Sequence, residues 1–190
     1  MDNISIKDLQ KGSESAFRQL VETYKNQVIN TCFGFVYNYA DAEDVAQDVF
    51  VEIYESINKF NEDSQLSTWI YRISVNKSLD FIRKIKRKKR WSELTRINLD
   101  NKDETDNWFK NSETPHYTLE QKERIQILNS AINTLPKNQR SAFTLHKYED
   151  LSYKEIAKVL NTSVSSVESL MHRAKKNLQK RLRKYYLSDN

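Results

Sequence analysis

Ser165, Ser166, Ser169, His172, Arg173, Lys175, Lys176, Lys180, Arg181 and Arg183 set hydroxyls first and cations after along one apolar-periodic stretch near the end of the chain. Short polar side chains at a helix start, with cations beyond them, suit entry into a DNA major groove and clamping of the flanking phosphates. The hairpin that delivers them is YKEIAKVLNTSVSSVESLMHR, residues 153–173, where Ser152 stands three residues before Glu155 and Ser165 three before Glu168. That spacing is the reciprocal cap of a helix N-terminus, so two helices are predicted. Ile156, Ala157 and Leu160 on the first, and Val164, Val167 and Leu170 on the second, form facing apolar stripes. Asn161 occupies the turn, where the chain needs a left-handed residue and Asn is the best choice after Gly. An ordinary helical hairpin would carry the same caps; the hydroxyls and cations are what point to DNA. Ser166, Ser169, His172 and Arg173 are the candidate base readers. Glu168 has two roles open to it, cap partner of Ser165 or acceptor for cytosine N4, and the spacing favours the cap.

A second set of reactive groups lies in DAEDVAQDVFVEIYESI, residues 41–57. At about 100° per residue, Ala42, Val45, Ala46, Val49, Phe50, Ile53 and Ile57 occupy one arc, while Asp41, Asp44, Asp48, Glu52 and Glu55 share another of roughly 80°. The segment holds no cation to neutralise them. Clustered carboxylates can hold a divalent metal for hydrolysis, but these rise along a ridge instead of converging, and the 3 histidines lie far off in sequence. A solvated face and a docking surface for a basic protein are the remaining readings, and phosphate would be repelled here.

A third set is FNEDSQLSTWIYRISVNKSLDFIRKIKRKKR, residues 60–90. Aromatic Phe60, Trp69, Tyr71 and Phe81 alternate with polar Asn61, Ser64, Asn76 and Asp80, and the segment ends in a basic run that includes Arg83 and Lys84. Aromatics stack on unpaired bases, amides bond base edges and cations hold phosphate, so this is a candidate surface for single-stranded or melted nucleic acid. The alternative puts Trp69 and Phe81 in the core and leaves the basic run as a solvated helix end. The sequence contains no nucleophile–base pair, Gly-rich phosphate loop or metal-spaced Cys/His set, so neither catalysis nor a cofactor nor a metal is expected.

The elements that must position these groups are helices. With 2 Gly and 2 Pro in 190 residues, tight turns are too scarce for a strand-rich fold, and an all-α chain is expected. The net charge of +5 suits a polyanionic partner without demanding one. Cys32 is the single cysteine and is expected as a buried apolar residue; no run is long and apolar enough to span a membrane, and MDNISIKDLQ lacks the basic and apolar regions of a signal peptide. A cytoplasmic protein without membrane insertion is expected. Periodicity divides the chain into a domain over 1–92, a flexible acidic linker over 93–117 carrying Asp100, Asp103, Glu104, Asp106 and Glu113, and a second domain over 118–190. Trp108 and Phe109 in the linker are either a docking anchor or a short packed turn. Thr118 with Gln121 caps the first helix of the second domain, and Pro136 suits the start of the next.

In their order, AFRQLVETYKNQV, DAEDVAQDVFVEIY, FNEDSQLSTWIYRISVNKSLDFIRK and LPKNQRSAFTLHKYEDLSYKEIAKVLNTSVSSVESLMHRAKKNL resemble one family across nearly the whole chain: the extracytoplasmic-function sigma factors, the smallest group of the sigma-70 family. The resemblance implies a sigma2-like promoter-melting domain, a linker, and a sigma4-like helix-turn-helix domain, all riding on RNA polymerase core enzyme. It implies that the polar face with Asp44, Gln47, Asp48 and Glu52 docks on a basic coiled coil of the polymerase. It further implies that the loop Phe60 to Ser64, with Asn61, lines a pocket for a flipped base of the downstream element. Asn76 would read a base beside it, with Asp80, Arg83 and Lys84 nearby. The upstream element, as duplex, falls to Ser165, Ser166, Glu168, Ser169, His172, Arg173 and Lys176. An anti-sigma factor is a further partner that such proteins often have. Glu168 and Leu170 stand where many relatives carry basic residues, so upstream-element preference does not carry over.

Overall fold

Short polar residues start the helices. In the computed structural model, which describes residues 4–95 and 119–186, Ser5, Ser13 and Asn38 cap α1 (Ile6–Gln10), α2 (Glu14–Val36) and α3 (Tyr39–Ser56), each side-chain oxygen accepting a backbone N–H three residues on. α2 stops at Tyr37, whose left-handed backbone (φ 57°) returns its N–H to the Phe33 carbonyl and folds α3 back along α2. A 3-10 turn, Ile57–Lys59, and a short loop then lead into α4 (Leu66–Thr95), which lies against both.

The apolar arc predicted for α3 is the one that is buried: Ala42, Val45, Ala46, Val49 and Ile53 meet Leu20, Val28 and Ile70 in the core, with Phe50 partly covered. Cys32 is buried as expected, and burial pushes its thiol up to about 12. Ser74 and Ser78 of α4 are buried too, their hydroxyls donating to carbonyls one turn back at 2.9 and 2.7 Å.

The second half contains α5 (Leu119–Asn133), α6 (Lys137–Tyr148), α7 (Tyr153–Val159) and α8 (Val164–Tyr186), with Pro136 at the N-cap of α6. No strand occurs among the described residues. α4 continues helically to Thr95, past the expected boundary at 92; Trp108, Phe109, Thr118 and the acidic residues of the linker lie outside the described residues.

The halves do not stand apart. One buried cluster holds Phe35 and Ile70 of the first together with Ala142, Leu145, Ile156, Val167 and Met171 of the second. α6 lies on α2 and α7 on α4. Gly34 lies tight against α6: a Cβ there would sit 2.9 Å from Thr144 Cγ2 and 3.4 Å from the Tyr148 ring. Thr144 is itself buried and has little room to yield. Arg140 crosses the same seam, its Nη2 donating to the Phe35 carbonyl at the end of α2.

Gly34→Leu is therefore expected to force α6 off α2. Overpacking should cost about 1–3 kcal/mol in urea unfolding of the whole chain while helix content at zero urea stays unchanged. Wild-type stability would show that the seam has slack.

Candidate polymerase and nucleic-acid interface

On α3 the face opposite the buried arc exposes Asp44, Gln47, Asp48 and Glu55. Asp41, partly covered, has its carboxyl pushed up by burial and then by the Asp44 charge. Two apolar residues share the ridge: Val51 is 55% and Tyr54 56% exposed, the Tyr54 ring standing edge-on to Phe17 at 5.2 Å. They lie seven and ten positions beyond Asp44, a helical spacing from which they could have been found. Glu52 differs from the expectation of an unneutralised ridge. It is half-buried and ion-paired to Lys77 Nζ of α4 at 2.9 Å, a cation that local sequence spacing cannot supply.

Phe60 also departs from its expected place. It is only 5% exposed, its ring 5.2 Å from that of Trp69, and its carbonyl accepts from Gln10 Nε2 at 3.1 Å. The side chain expected to stack on a base instead anchors the loop to the core, because an aromatic ring beside an apolar helix start gains more from burial than from water. Beyond it Asn61 and Asp63 are exposed, Ser64 is half-buried, and Glu62 takes a left-handed backbone at φ 60°. Along α4, Asn76, Asp80, Arg83 and Lys84 are exposed, with Arg83 Nη1 2.8 Å from Asp80. Asn76 lines a cleft of about 270 Å³ together with Arg72, and with Lys137, Asn138, Asn161 and Leu170 from the second half. Arg72 closes one side, donating through Nε and Nη2 to the Lys158 carbonyl at 3.1 and 2.6 Å.

The helix-turn-helix forms with Ser152 and Glu155 as a complete reciprocal cap, and the bonds from Ser152 hold the Glu155 carboxyl below its ordinary range. Asn161 is left-handed at φ 50°. α8 begins two residues earlier than the Ser165 cap predicts: Ser163 Oγ accepts from the Ser166 N–H at 3.1 Å, and the Ser163 carbonyl accepts from the Val167 N–H. Glu168 is thus no cap partner and its side chain is exposed. Val164, expected on the apolar stripe, is 41% exposed. The buried stripe of α8 is Val167, Met171, Ala174 and Leu178. At about 100° per residue, Ser165, Glu168, Ser169, His172, Arg173 and Lys176 fall on the opposite face, and all are exposed; Ser166 is half-buried beside Ser163.

Two family descriptions match the chain, Sigma-70 region 2 over residues 20–88 and Sigma-70 region 4 over residues 125–178. The RNA polymerase sigma-H factor of Pseudomonas aeruginosa is 31% identical over 181 residues, covering 95% of this chain and 93% of that protein. The ECF RNA polymerase sigma factor SigW of Bacillus subtilis is 30% identical over 178 residues, 94% of this chain and 95% of SigW. The chain belongs to the extracytoplasmic-function sigma factors of the sigma-70 family. As a sigma factor, it serves promoter-specific initiation of transcription. Its fold is shared by CnrH, solved with the cytosolic domain of CnrY (24% identity, TM-score 0.62, 94% of this chain and 95% of that one). It is shared too by the sigma factor RpoE of Bartonella quintana, solved with the anti-sigma factor NepR (21%, 0.59, 88% and 96%). Region 2 of this sigma factor spans the ridge, the loop and most of α4; region 4 spans the helix-turn-helix and the start of the basic helix.

Two outcomes follow for the sigma factor's site residues. Phe60→Ala should lose about 3–5 kcal/mol of unfolding free energy, as truncation of a core aromatic does; a residue held only for stacking on a base would leave denaturation unchanged. Ser163→Ala should lose about 1 kcal/mol through the missing cap, whereas Glu168→Gln should stay within about 0.5 kcal/mol of wild type. A matching loss for Glu168→Gln would restore it as the cap partner.

Proposed function

We propose that three surfaces divide the work of this sigma factor. The α3 ridge, with Asp44, Gln47, Asp48 and its exposed Val51 and Tyr54, docks on a basic, partly apolar element of RNA polymerase core enzyme. Glu52 supports that ridge through Lys77. The loop Asn61 to Ser64, with Asn76 and the exposed cations Arg83 and Lys84 of α4, holds the opened downstream element, and Phe60 fixes the loop from beneath. The outer face of α8 enters the major groove of the upstream element, where Ser165, Ser166, Ser169 and His172 meet base edges and Arg173 and Lys176 meet bases or phosphate. What supports this reading best is the α8 face: the candidate readers lie opposite one continuous buried stripe. With Ser163 as the cap, the Glu168 carboxylate is available to accept from a base, so we assign it to reading instead of capping. The protein would act as a noncatalytic subunit in the cytoplasm, where RNA polymerase is. Restraint by an anti-sigma factor fits the complex with NepR in which the Bartonella RpoE was solved.

Reconstituted transcription with bacterial core enzyme tests the division. Asp44→Lys with Asp48→Lys should weaken core binding by several kcal/mol through like-charge contact and abolish initiation at every promoter. Glu168→Gln should bind core normally and shift base preference at one position of a randomised upstream element. Unchanged core affinity for the first variant would overturn the ridge assignment, and an unchanged preference for the second would overturn the assignment of Glu168.

A further inference from the structure

Glu149 closes α6 at the seam between the two halves, and its carboxyl group is set there without a cation. Oε2 accepts from the Tyr71 hydroxyl of α4 at 3.3 Å. Oε1 is buried and has no hydrogen-bond partner among the described residues. The Thr31 hydroxyl of α2 lies beside it, but donates its proton to the Gln27 carbonyl at 2.8 Å. Among the described residues Glu149 forms no ion pair, and the neighbouring charge is Asp150, of like sign. An ionised carboxylate thus leaves one oxygen unsatisfied in the seam. A protonated one carries a donor for which the Thr31 oxygen is an acceptor.

We propose that the seam is a proton-responsive latch, in which protonated Glu149 holds α6 and the turn after it against α2 and α4, and ionised Glu149 releases them. The geometry makes release consequential. The closed seam puts Lys137, Asn138 and Asn161 across the cleft from Asn76 and ties Arg72 to the end of α7, so the α4 face that holds Asn76 is partly covered until the halves separate.

Cys32, Tyr71, Tyr148 and Tyr37 at the seam keep their protons near neutrality. Burial pushes the Cys32 thiol of α2 up to about 12. The Tyr71 phenol is raised, first by burial and then by the charge of Glu149, with Glu155 of α7 adding to it. Tyr148, preceding Glu149, is raised by burial, and so is Tyr37, above all by burial. His146 of α6 turns its Nδ1 to the Leu151 carbonyl within its own half. Burial and the Asp150 charge push Glu149 itself from an ordinary 4.5 to about 7, against the opposing bond from Tyr71. A carboxyl group whose value is higher closed than open binds its proton preferentially in the closed form. Opening is therefore favoured as pH rises between about 4.5 and about 7, by at most about tenfold per pH unit, and is level above and below that window.

The test uses the full chain with energy-transfer dyes on Lys25→Cys and Lys180→Cys, both exposed positions, while buried Cys32 stays unlabelled. The titration runs from about pH 5 to 8.5, bracketing the displaced carboxyl value, with helix content followed by circular dichroism. Transfer should fall as pH rises and level off near neutrality. Glu149→Gln should remain closed and flat with pH, and Gly34→Leu open and flat. Tyr71→Phe, which removes a donor to the carboxylate, should move the wild-type transition to higher pH, and it serves if Glu149→Gln loses helix content. A flat wild-type profile, an unaltered profile in Glu149→Gln, or an unmoved midpoint in Tyr71→Phe would overturn the latch. Covering of the promoter surface rests on the role proposed for Asn76, but the distance measurement does not, so the two can fail separately.

Discussion

The arrangement of the two halves depends on one buried guanidinium. Arg140 is 3% exposed and has no carboxylate partner among the described residues; its Nη2 donates to the Phe35 carbonyl, and its charge sits 5.7 Å from the centroid of the Phe35 ring. That carbonyl is among the last of α2, where the chain ends in unpaired acceptors and the negative end of the helix dipole. A cation is the natural partner for such an end, and a buried cation without one would be costly. Burial lowers the Arg140 value without bringing it near neutrality, because guanidinium remains charged throughout the physiological range. The bond fixes α6 on α2, and from it follow the close approach at Gly34, the placement of Tyr148 beside Tyr37, and the burial of the Glu149 carboxyl group at the seam.

Charge is distributed accordingly. α3 turns carboxylates outward on the first half, α8 turns cations and hydroxyls outward on the second, and the seam between them holds the Arg140 and Arg72 guanidiniums on backbone carbonyls. A protein that must meet both a basic polypeptide and a polyanion is served by keeping those surfaces on separate helices, since like charges set against the wrong partner repel strongly. The exposed Val51 and Tyr54 add apolar area to the acidic ridge, which gives it a means of attachment less sensitive to salt than charge alone.

Ser165, Phe60 and Glu52 have surroundings other than local spacing suggests, for one shared reason. Ser165 and Ser163 both have the chemistry of an N-cap; where the chain leaves the Asn161 turn decides between them, and Ser163 takes the N–H of Ser166. Phe60 is equally an aromatic for stacking and an aromatic for burial, and Trp69 together with Gln10 from far upstream draws it inward. Glu52 belongs to the acidic stripe by periodicity, yet Lys77 from the next helix neutralises it. In each case local spacing allows two states, and a partner distant in sequence selects one.

Local physics made much of the protein legible before any coordinates. The cap at Ser152, the left-handed turn at Asn161, the buried arc of α3, the scarcity of Gly and Pro and the order of the four segments specify helices and family, because each depends on residues a few positions apart. The exposure of the α8 reading face follows from the same periodicity. Only the tertiary structure decided that the two halves share a core, that Arg140 plugs the end of α2, and that Glu149 meets Thr31 and Tyr71 in a place without a cation. Those partners are separated by tens of residues or more in the chain, and no periodicity connects them. Their meeting is set by how helix ends and close-packed faces fit, which is a property of the assembled core and not of any segment.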